Sequence, residues 1–447
     1  MDVVPIEILR VILEAAIENG RFTYAELWLE ETPLSKFREQ QALIRKLGSV
    51  CNRWRSICLE FLFEHVWIAP PLESNTLAFR QIFNTDTLSE HSRNPLGWWT
   101  RQLYLDILFL GPPERKALID HFRINKPFPN VDHLVIFNCG SNWDDEDTVL
   151  ILDVYAEHLI SLTLNGSEEA FHHTISRTVG GLSQLQALTL EFADESLQLP
   201  KGKRDTLVLP TVHTLHLQHI SDSECFDLVD WELPSVRTLS LLTLDVTRDT
   251  FGPFIRLGCT LTSLTLPYWP SGTSFHESLF KNCRVLERLE VLDAQWEGED
   301  SLEQVAIAYL PILEEHGLRE WIFHPFWVDC DFDSFQINTA DPKMLPSLRI
   351  MRLLSPGVDR LFSLSLSRVQ SLKEWSRALK LRGVLLVDDG DGTLIFISTI
   401  CIGGDSDQRS SSLLRMMLYV LGGNYTITVI AGRKVTGNIL IHRRRGL

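Results

Sequence analysis

The chain has 447 residues, 45% of them hydrophobic, and a formal net charge of −16. This composition supports a large core that needs no disulfide or metal, and the negative charge argues against nucleic acid as a partner, because a phosphate backbone would be repelled. The eight cysteines stand singly, without a Cys-x-x-Cys pair, which argues against a zinc site or a disulfide framework and is typical of a reducing compartment.

The sequence also lacks the features of a secreted or membrane protein. Its start, MDVVPIEIL, has no basic region and carries acidic residues where a signal peptide would be apolar. No apolar run approaches the roughly 18 residues that cross a bilayer. We therefore expect a cytoplasmic and/or nuclear protein with no membrane partner.

Two amphipathic helices are predicted near the start of the chain. The first begins at Pro5, whose missing N–H suits a first helical turn, and ends by Gly20. The second is predicted as one helix through GSVCNRWRSICLEFLFEHVWI, residues 48–68, running into a short aromatic tail. The apolar stripes are Ile8, Leu9, Ile12, Leu13, Ala16 and Ile17 in the first helix, and Leu43, Leu47, Val50, Cys51, Trp54, Cys58, Phe61 and Leu62 in the second. Such stripes must pack on each other, on the rest of the chain or on a partner.

The motifs VPIEIL and VCNRWRSI, followed by LFEHVWI, resemble the F-box, a three-helix module that would occupy residues 1–68. The resemblance implies docking to the Skp adaptor of a cullin-based ubiquitin ligase. The interval between Leu13 and Val50 is longer than the family pattern, so the middle helix is expected to be displaced or to carry an insertion. Carried over by motif position, the adaptor-binding residues are Val4, Pro5, Ile8, Leu9, Val50, Cys51 and Trp54.

A second interpretation of the same helices needs no partner. Amphipathic helices at the start of an elongated protein often cap its exposed hydrophobic end, and Trp54 would then be an ordinary core residue. Residues 69–99 are predicted to be a linker or part of such a cap.

Residues 100–357 repeat the pattern apolar-x-x-apolar-x-apolar. The central residues of nine copies, 24 to 32 positions apart, are Leu134, Leu162, Leu188, Leu215, Leu239, Leu264, Leu289, Trp321 and Met351, with TRQLYLDIL at 100–108 as a weaker earlier copy. The spacing resembles leucine-rich repeats, in which each unit supplies a strand and an outer return segment, so the resemblance implies an irregular solenoid, or horseshoe. The expected fold class is α/β: an N-terminal helical F-box-like module followed by an irregular leucine-rich-repeat solenoid.

Strand alternation assigns the side chains between the core positions to an opposite, inner face. These are Ser161, Thr163, Thr189, Thr214, His216, Thr238, Ser240, Ser263, Thr265, Arg288 and Glu290. They are interpreted either as a hydrogen-bonding floor for a protein partner or as an ordinary solvated strand face.

Aromatic residues follow the strands of successive repeats and would line one rim. They are Tyr268, Trp269, Trp296, Phe326 and Trp327. Large aromatic side chains carry much of the energy of protein interfaces, so these are the candidate substrate-binding residues. Alternatively, they fill gaps at turns that lack the Asn or Cys of regular repeats.

The last segment, 358–447, is predicted to be a C-terminal cap or a poorly ordered tail, helical at first and then strand-prone. We find no catalytic motif and predict no cofactor, no metal site and no enzyme activity: His172 and His173 are read as the solvated face of a helix, and DDGDGTL at 388–394 as a turn. The expected function is that of the substrate-recognition subunit of a cullin-based ubiquitin ligase, which binds an unknown target protein through its solenoid. The alternative is a repeat scaffold that binds proteins without a ligase link.

Overall fold

The chain forms two compact units in the computed structural model, Met1–Val212 and His213–Leu447. The structure describes residues 5–18, 33–68, 96–106, 112–139, 145–166, 168–192, 206–218, 231–242, 256–268, 273–293, 316–323, 345–353, 374, 377–388, 394–401, 425–430 and 436–443.

The first unit starts with three helices that share one core. They are α1 (Ile6–Glu18), α2 (Pro33–Gly48) and α3 (Asn52–Glu64). The core that they enclose consists of Leu9, Leu13, Ile17, Ile44, Ile57, Cys58 and Phe61, with Leu47, Trp54 and Leu62 packed against it. The amphipathic stripes therefore pack largely on one another.

The helix predicted through residues 48–68 is interrupted, which corrects that expectation. α2 ends at Gly48, and α3 begins only after Cys51, whose backbone is extended (φ −162°, ψ 168°). Gly48 marks the break for a packing reason, since a Cβ at this position would lie 3.3 Å from the Cβ of Cys58. The predicted aromatic tail is strand β1 (His65–Ile68).

Five parallel strands follow one another in the described part of the first unit. They are β1, β2 (Gln102–Asp106), β3 (His133–Cys139), β4 (Ser161–Gly166) and β5 (Ala187–Phe192), each paired in parallel with the next. A register shift interrupts the β3–β4 ladder between Ile136 and Cys139. Parallel strands need a crossover connection, and helices provide it here.

The connecting helices of the first unit are α4 (Pro112–Asn125), α5 (Asp145–Tyr155) and α6 (Glu168–Thr178). α5 begins with the acidic residues DED, a favourable placement of negative charge at the amino-terminal end of a helix. The buried side chains of the three helices include Leu118, Ile119, Phe122, Ile151, Leu152, Tyr155, Phe171 and Ile175. The rings of Phe122 and Tyr155 meet edge to face with centroids 6.2 Å apart, which joins α4 to α5. The short strand β6 (Leu207–Val208) follows β5.

The second unit contains another run of parallel strands. In ladder order these are β7 (Thr214–Gln218), β9 (Thr238–Leu242), β10 (Ser263–Tyr268), β11 (Arg288–Asp293), β12 (Glu320–Phe323), β13 (Ile350–Leu353) and β14 (Leu385–Asp388). The short strand β8 (Trp231–Glu232) precedes β9, and helix α7 (Thr273–Asn282) connects β10 to β11. With parallel sheets and connecting helices, the fold is mixed α/β, as predicted.

The central residue of every predicted repeat is buried. The most exposed of the nine, Trp321, is only 4% exposed, and the others are at most 1% exposed. They also align in register within each unit, as Leu134 does with Leu162 and Leu289 with Trp321. The leucine periodicity thus places a continuous apolar row along the strands of each unit, which stacking buries.

Strands occur on both sides of the predicted repeat region of 100–357. β1 precedes it, and β14 lies in the segment predicted as a cap or a tail. The strand-prone end of that segment forms β15 (Leu394–Cys401), β16 (Tyr425–Ile430) and β17 (Thr436–Arg443), an antiparallel sheet in the order β15-β17-β16. Among the residues described, no helix has both the length and the apolar composition required to cross a membrane.

Candidate functional site

Helix α1 is apolar on two opposite faces. One face carries Leu9, Leu13 and Ile17, which recur every four residues and are at most 7% exposed. These side chains lie in the three-helix core with α2 and α3. One face of α1 is therefore fully used by the chain itself.

The other face of α1 is exposed to solvent. Ile8, Val11 and Ile12 are 52%, 60% and 52% exposed. Their spacing of three and four residues places them together on one side of the helix, since such residues are neighbours on a helical surface. Adjacent exposed aliphatic side chains on a short helix are a feature of docking surfaces more than of solvated faces.

An ion pair and the shared core hold α1 in this orientation. The Arg10 guanidinium contacts the Glu60 carboxylate on α3. Burial raises the pKa of the Glu60 carboxyl, and the neighbouring Arg10 lowers it in part. The contact connects α1 to α3 on the side away from Ile8 and Ile12, because residue 10 is rotated by roughly 160° from each of them around a helix.

The break between α2 and α3 is a second exposed apolar position. Val50 is 55% exposed, and Cys51 is an exposed free thiol. The Ser49 N–H donates to the Arg45 carbonyl oxygen at 3.1 Å, and the Val50 N–H donates to that of Leu47 at 3.2 Å. These bonds close the last turn of α2 and leave the two side chains at the surface.

The residues predicted to bind the adaptor thus separate into two groups. Pro5, Ile8, Val50 and Cys51 are exposed. Trp54 is half-buried against the three-helix core, and Leu9 lies within it. Val4 lies outside the described residues.

Leu9 therefore needs a correction, because its side chain holds the helices together and is not presented at the surface. Val11 was missed, and Ile12 was assigned to the same stripe as Leu13. A helical wheel carries the missing signal, because residues 8, 11 and 12 point about 150° away from the centre of 9, 13 and 17.

The predicted inner face of the first unit is closed in the part that is described. Trp67 on β1 stacks on Tyr104 on β2 at 5.1 Å between ring centroids and on Phe137 on β3 at 5.1 Å, and Phe37 from α2 lies 5.6 Å from Trp67. Burial raises the pKa of Tyr104 to about 12, and its hydroxyl donates to Gln102 Oε1 at 2.9 Å.

Further along the same row, Thr163 is 0% and Thr189 is 3% exposed, and in the second unit Ser240 is 6% exposed. A solvated face is wrong at these three positions. Each of these three side chains is buried within its own unit.

The inner face of the second unit carries charged side chains on β11, β12 and β13. Arg288 Nη2 lies 3.3 Å from Glu290 Oε2, and Arg288 Nε lies 3.9 Å from Glu320 Oε2. Arg352 Nη2 lies 3.3 Å from Glu320 Oε1. The strands β11, β12 and β13 are thus joined by a chain of ion pairs whose members are partly exposed.

The rim aromatics lie mostly outside the described part of the chain. The backbone of Tyr268 ends β10 and pairs with Asp293, while its side chain is not described. Trp269, Trp296, Phe326 and Trp327 lie outside the described residues. Substrate binding by this rim stays a prediction.

The buried His316 has a structural explanation. His316 Nδ1 accepts from the Leu318 N–H at 3.2 Å and Nε2 donates to the Cys283 carbonyl oxygen at 3.0 Å, so the neutral ring is fully bonded. Burial lowers the pKa of His316, and the hydrogen bond to the Cys283 carbonyl oxygen raises it in part. Burial also lowers the pKa of His216, to about 4. Within the ranges described, no three His, Cys, Asp or Glu side chains are grouped so as to hold a metal ion.

Comparisons with known proteins add no family to this geometry. No protein-family model matches the sequence, and no curated protein matches it.

Proposed function

We propose that this protein is a non-catalytic substrate-recognition subunit of a cullin-based ubiquitin ligase, and that its N-terminal helices dock the Skp adaptor while its repeat strands hold a target protein. The proposal combines the F-box resemblance of VPIEIL and VCNRWRSI with an irregular leucine-rich-repeat solenoid for the parallel strands. The observation that carries it is the exposed apolar face of α1 formed by Ile8, Val11 and Ile12.

This face supports docking because the chain's own core leaves it uncovered. A helix that only capped the repeats would bury its single apolar stripe, whereas α1 has a buried stripe and a second, exposed one. An apolar helix face that lies in a partner's groove is a common mode of recognition. Burial of the exposed half of each of these side chains would contribute about 1 kcal/mol.

A quantitative binding experiment with the purified Skp adaptor tests the proposal. The full chain is expected to bind the adaptor in isothermal titration calorimetry, and Ile8→Glu/Ile12→Glu to weaken binding at least about 100-fold, because a carboxylate would be desolvated at the centre of the contact. Glutamate favours helix, so the exchange of two exposed side chains leaves α1 intact.

One control separates loss of the surface from loss of the fold. Arg38→Ala/Glu39→Ala changes two exposed side chains of α2 and is expected to bind like the wild type. Cys51→Ser tests the exposed break between α2 and α3 with a side chain of nearly the same size as cysteine. Adaptor affinity that is unchanged by Ile8→Glu/Ile12→Glu would overturn the assignment of the docking face.

The alternative is a protein-binding scaffold without a ligase link. It is favoured by the partly exposed ion-pair chain of Arg288, Glu320 and Arg352, which suits a polar protein contact whatever the N-terminal helices do. Affinity purification distinguishes the two: a target that co-purifies without any Skp adaptor supports the scaffold.

A further inference from the structure

The strands of the second unit share an edge at their amino-terminal ends, which we call the strand-start edge. Backbone hydrogen bonds build it in a regular way: the carbonyl oxygen just before each strand accepts two N–H groups from the start of the next one. The residues that contribute these carbonyls in turn are Arg237, Thr262, Glu287 and Arg319, and Arg349 accepts from Leu385. The side chains of the row are consequently brought side by side although they are far apart in sequence.

The strand-start edge is strongly basic. The described segments that lead into β9–β14 are 233–237, 256–262, 273–287, 316–319, 345–349, and 374 together with 377–384. They contain three carboxylates, Glu277, Glu287 and Glu374, against nine basic side chains: Arg237, Arg256, Lys281, Arg284, Arg319, Arg349, Arg377, Lys380 and Arg382. This concentration occurs in a chain whose formal net charge is −16.

The basic groups are presented at the surface and held by local contacts. The Arg319 side chain is 65% exposed and lies 3.4 Å from Glu287 Oε1. Arg349 Nη1 donates to the carbonyl oxygens of Pro346 at 3.0 Å and Leu348 at 2.9 Å. These bonds use part of each guanidinium, which has five N–H donors in a planar fork that also suits carboxylates.

Exposed aliphatic side chains are interleaved with these charges. Val285 is 46% exposed beside Arg284, Leu381 is 85% exposed between Lys380 and Arg382, and Leu385 at the start of β14 is 53% exposed. The mixture points to a ligand with both negative charges and apolar side chains.

We propose that the strand-start edge binds an extended acidic protein segment that also carries aliphatic side chains. A nucleic acid fits less well, because the apolar side chains would have no counterpart on a phosphate backbone. Strands lie about 4.8 Å apart, so the row from Arg237 to Arg349 spans roughly 19 Å, or about six extended residues.

Such a segment would be the target that the proposed ligase subunit recognises, and in this respect the assignment rests on the proposed function. The binding event itself involves neither the adaptor nor α1. An experiment without adaptor therefore distinguishes a failure of this surface from a failure of the ligase proposal.

Fluorescence anisotropy with synthetic probes and the full chain tests the surface. The probe is a labelled 12-residue peptide of four Glu-Asp-Leu repeats, compared with Glu-Asp-Ser repeats, Lys-Lys-Leu repeats and a 12-nucleotide single-stranded DNA. We expect the acidic aliphatic peptide to bind most tightly and to lose at least about fivefold in affinity between 50 and 300 mM salt, because screening weakens exposed charge contacts.

Matched variants assign the binding to the edge. Arg237→Gln/Arg319→Gln is expected to weaken binding of the Glu-Asp-Leu peptide at least about tenfold. Val285→Ser/Leu381→Ser is expected to reduce the affinity for the Glu-Asp-Leu peptide to that for the Glu-Asp-Ser peptide. A matched pair on α4, Lys116→Gln/Arg123→Gln, changes two exposed cations of the first unit and should bind as the wild type does. Circular dichroism melting confirms that each variant is folded.

Several results would overturn the proposal. They are no binding of the acidic peptide at 200 μM, a loss of peptide affinity in the α4 variant equal to that in the arginine variant, or DNA bound as tightly as the peptide. If the arginine variant does not fold, the exposed Val285→Ser/Leu381→Ser pair decides, and unchanged discrimination between the Leu and Ser peptides contradicts the assignment.

Discussion

Ile12 and Leu13 are neighbours in the sequence of α1, yet the structure assigns them opposite roles. Ile12 is 52% exposed, and Leu13 is 1% exposed within the three-helix core. Truncation of each to alanine removes three carbon atoms from the side chain. The pair therefore tests the orientation of α1, on which the docking proposal depends, with nearly identical chemistry.

The two changes differ several-fold in their expected cost. Leu13→Ala loses the transfer free energy of a fully buried side chain and leaves a cavity, so it should cost about 3 to 5 kcal/mol. Each buried carbon contributes roughly 0.8 kcal/mol, and Ile12 is about half buried, so the three carbons that Ile12→Ala removes cost about 1 kcal/mol. Alanine is the better helix former, which returns about 0.4 kcal/mol. The net cost at residue 12 is therefore about 0.7 kcal/mol.

Hydrogen–deuterium exchange resolved by mass spectrometry, as a function of urea, measures both values locally. Peptides covering α1 and α3 report the opening free energy of the three-helix core without requiring the whole chain to unfold in one step. Leu13→Ala should increase exchange in both helices, while Ile12→Ala should leave α3 as in the wild type. Equal destabilisation by the two changes, or a larger effect of Ile12→Ala, would refute the orientation of α1.

Three further outcomes are expected. Gly97→Ala should destabilise the first unit by about 2 kcal/mol in a urea titration, because the added Cβ would overlap a backbone carbonyl oxygen of the loop after α4, whereas Gly180→Ala, with nothing within 4 Å, should not. Burial lowers the pKa of His216 to about 4, below its ordinary value near 6.5, so protonation favours the unfolded state: stability is complete above pH 6.5 and falls as the pH drops from 6.5 towards 4. Comparing urea midpoints at pH 7.5 and 4.5, His216→Gln should remove at most about 3 kcal/mol of that pH dependence, and the same pH dependence in both proteins would contradict the buried, neutral imidazole. Under native conditions a maleimide should modify the exposed Cys51 at least about tenfold faster than Cys58, whose thiol is buried with a raised pKa; similar rates would show that the three-helix core is open.

The repeat core could be predicted from the sequence because it depends on local periodicity. Apolar residues at the fourth and sixth positions of each copy alternate as a strand requires. The residue that opens the pattern lies before the strand and is also buried, as Leu159 and Leu261 show at 0% exposure. The break at Gly48 was missed, since the apolar stripe continues through it. Glycine at that site reflects close packing against Cys58, which no linear pattern reveals.

The inner face illustrates the opposite case. A threonine such as Thr163 suits a solvated strand and a buried one equally, and only the neighbouring strands decide that it is 0% exposed. Likewise, the sequence shows Arg288 and Glu320 as two unrelated charges 32 positions apart, whereas strand pairing places them opposite each other in register. Contacts across strands depend on register, and register is a property of the assembled sheet.

By itself, then, the order of amino acids determined the α/β class, the positions of the repeated strands and the leucines that fill their core, because hydrophobic periodicity acts within a few residues of the chain. Only the tertiary structure decided which of the two apolar faces of α1 stays in solvent. It also decided that Arg237, Arg319 and Arg349 share one edge. Those outcomes come from packing between distant segments, where the burial of one face and the register of one ladder settle the environment of every side chain next to them.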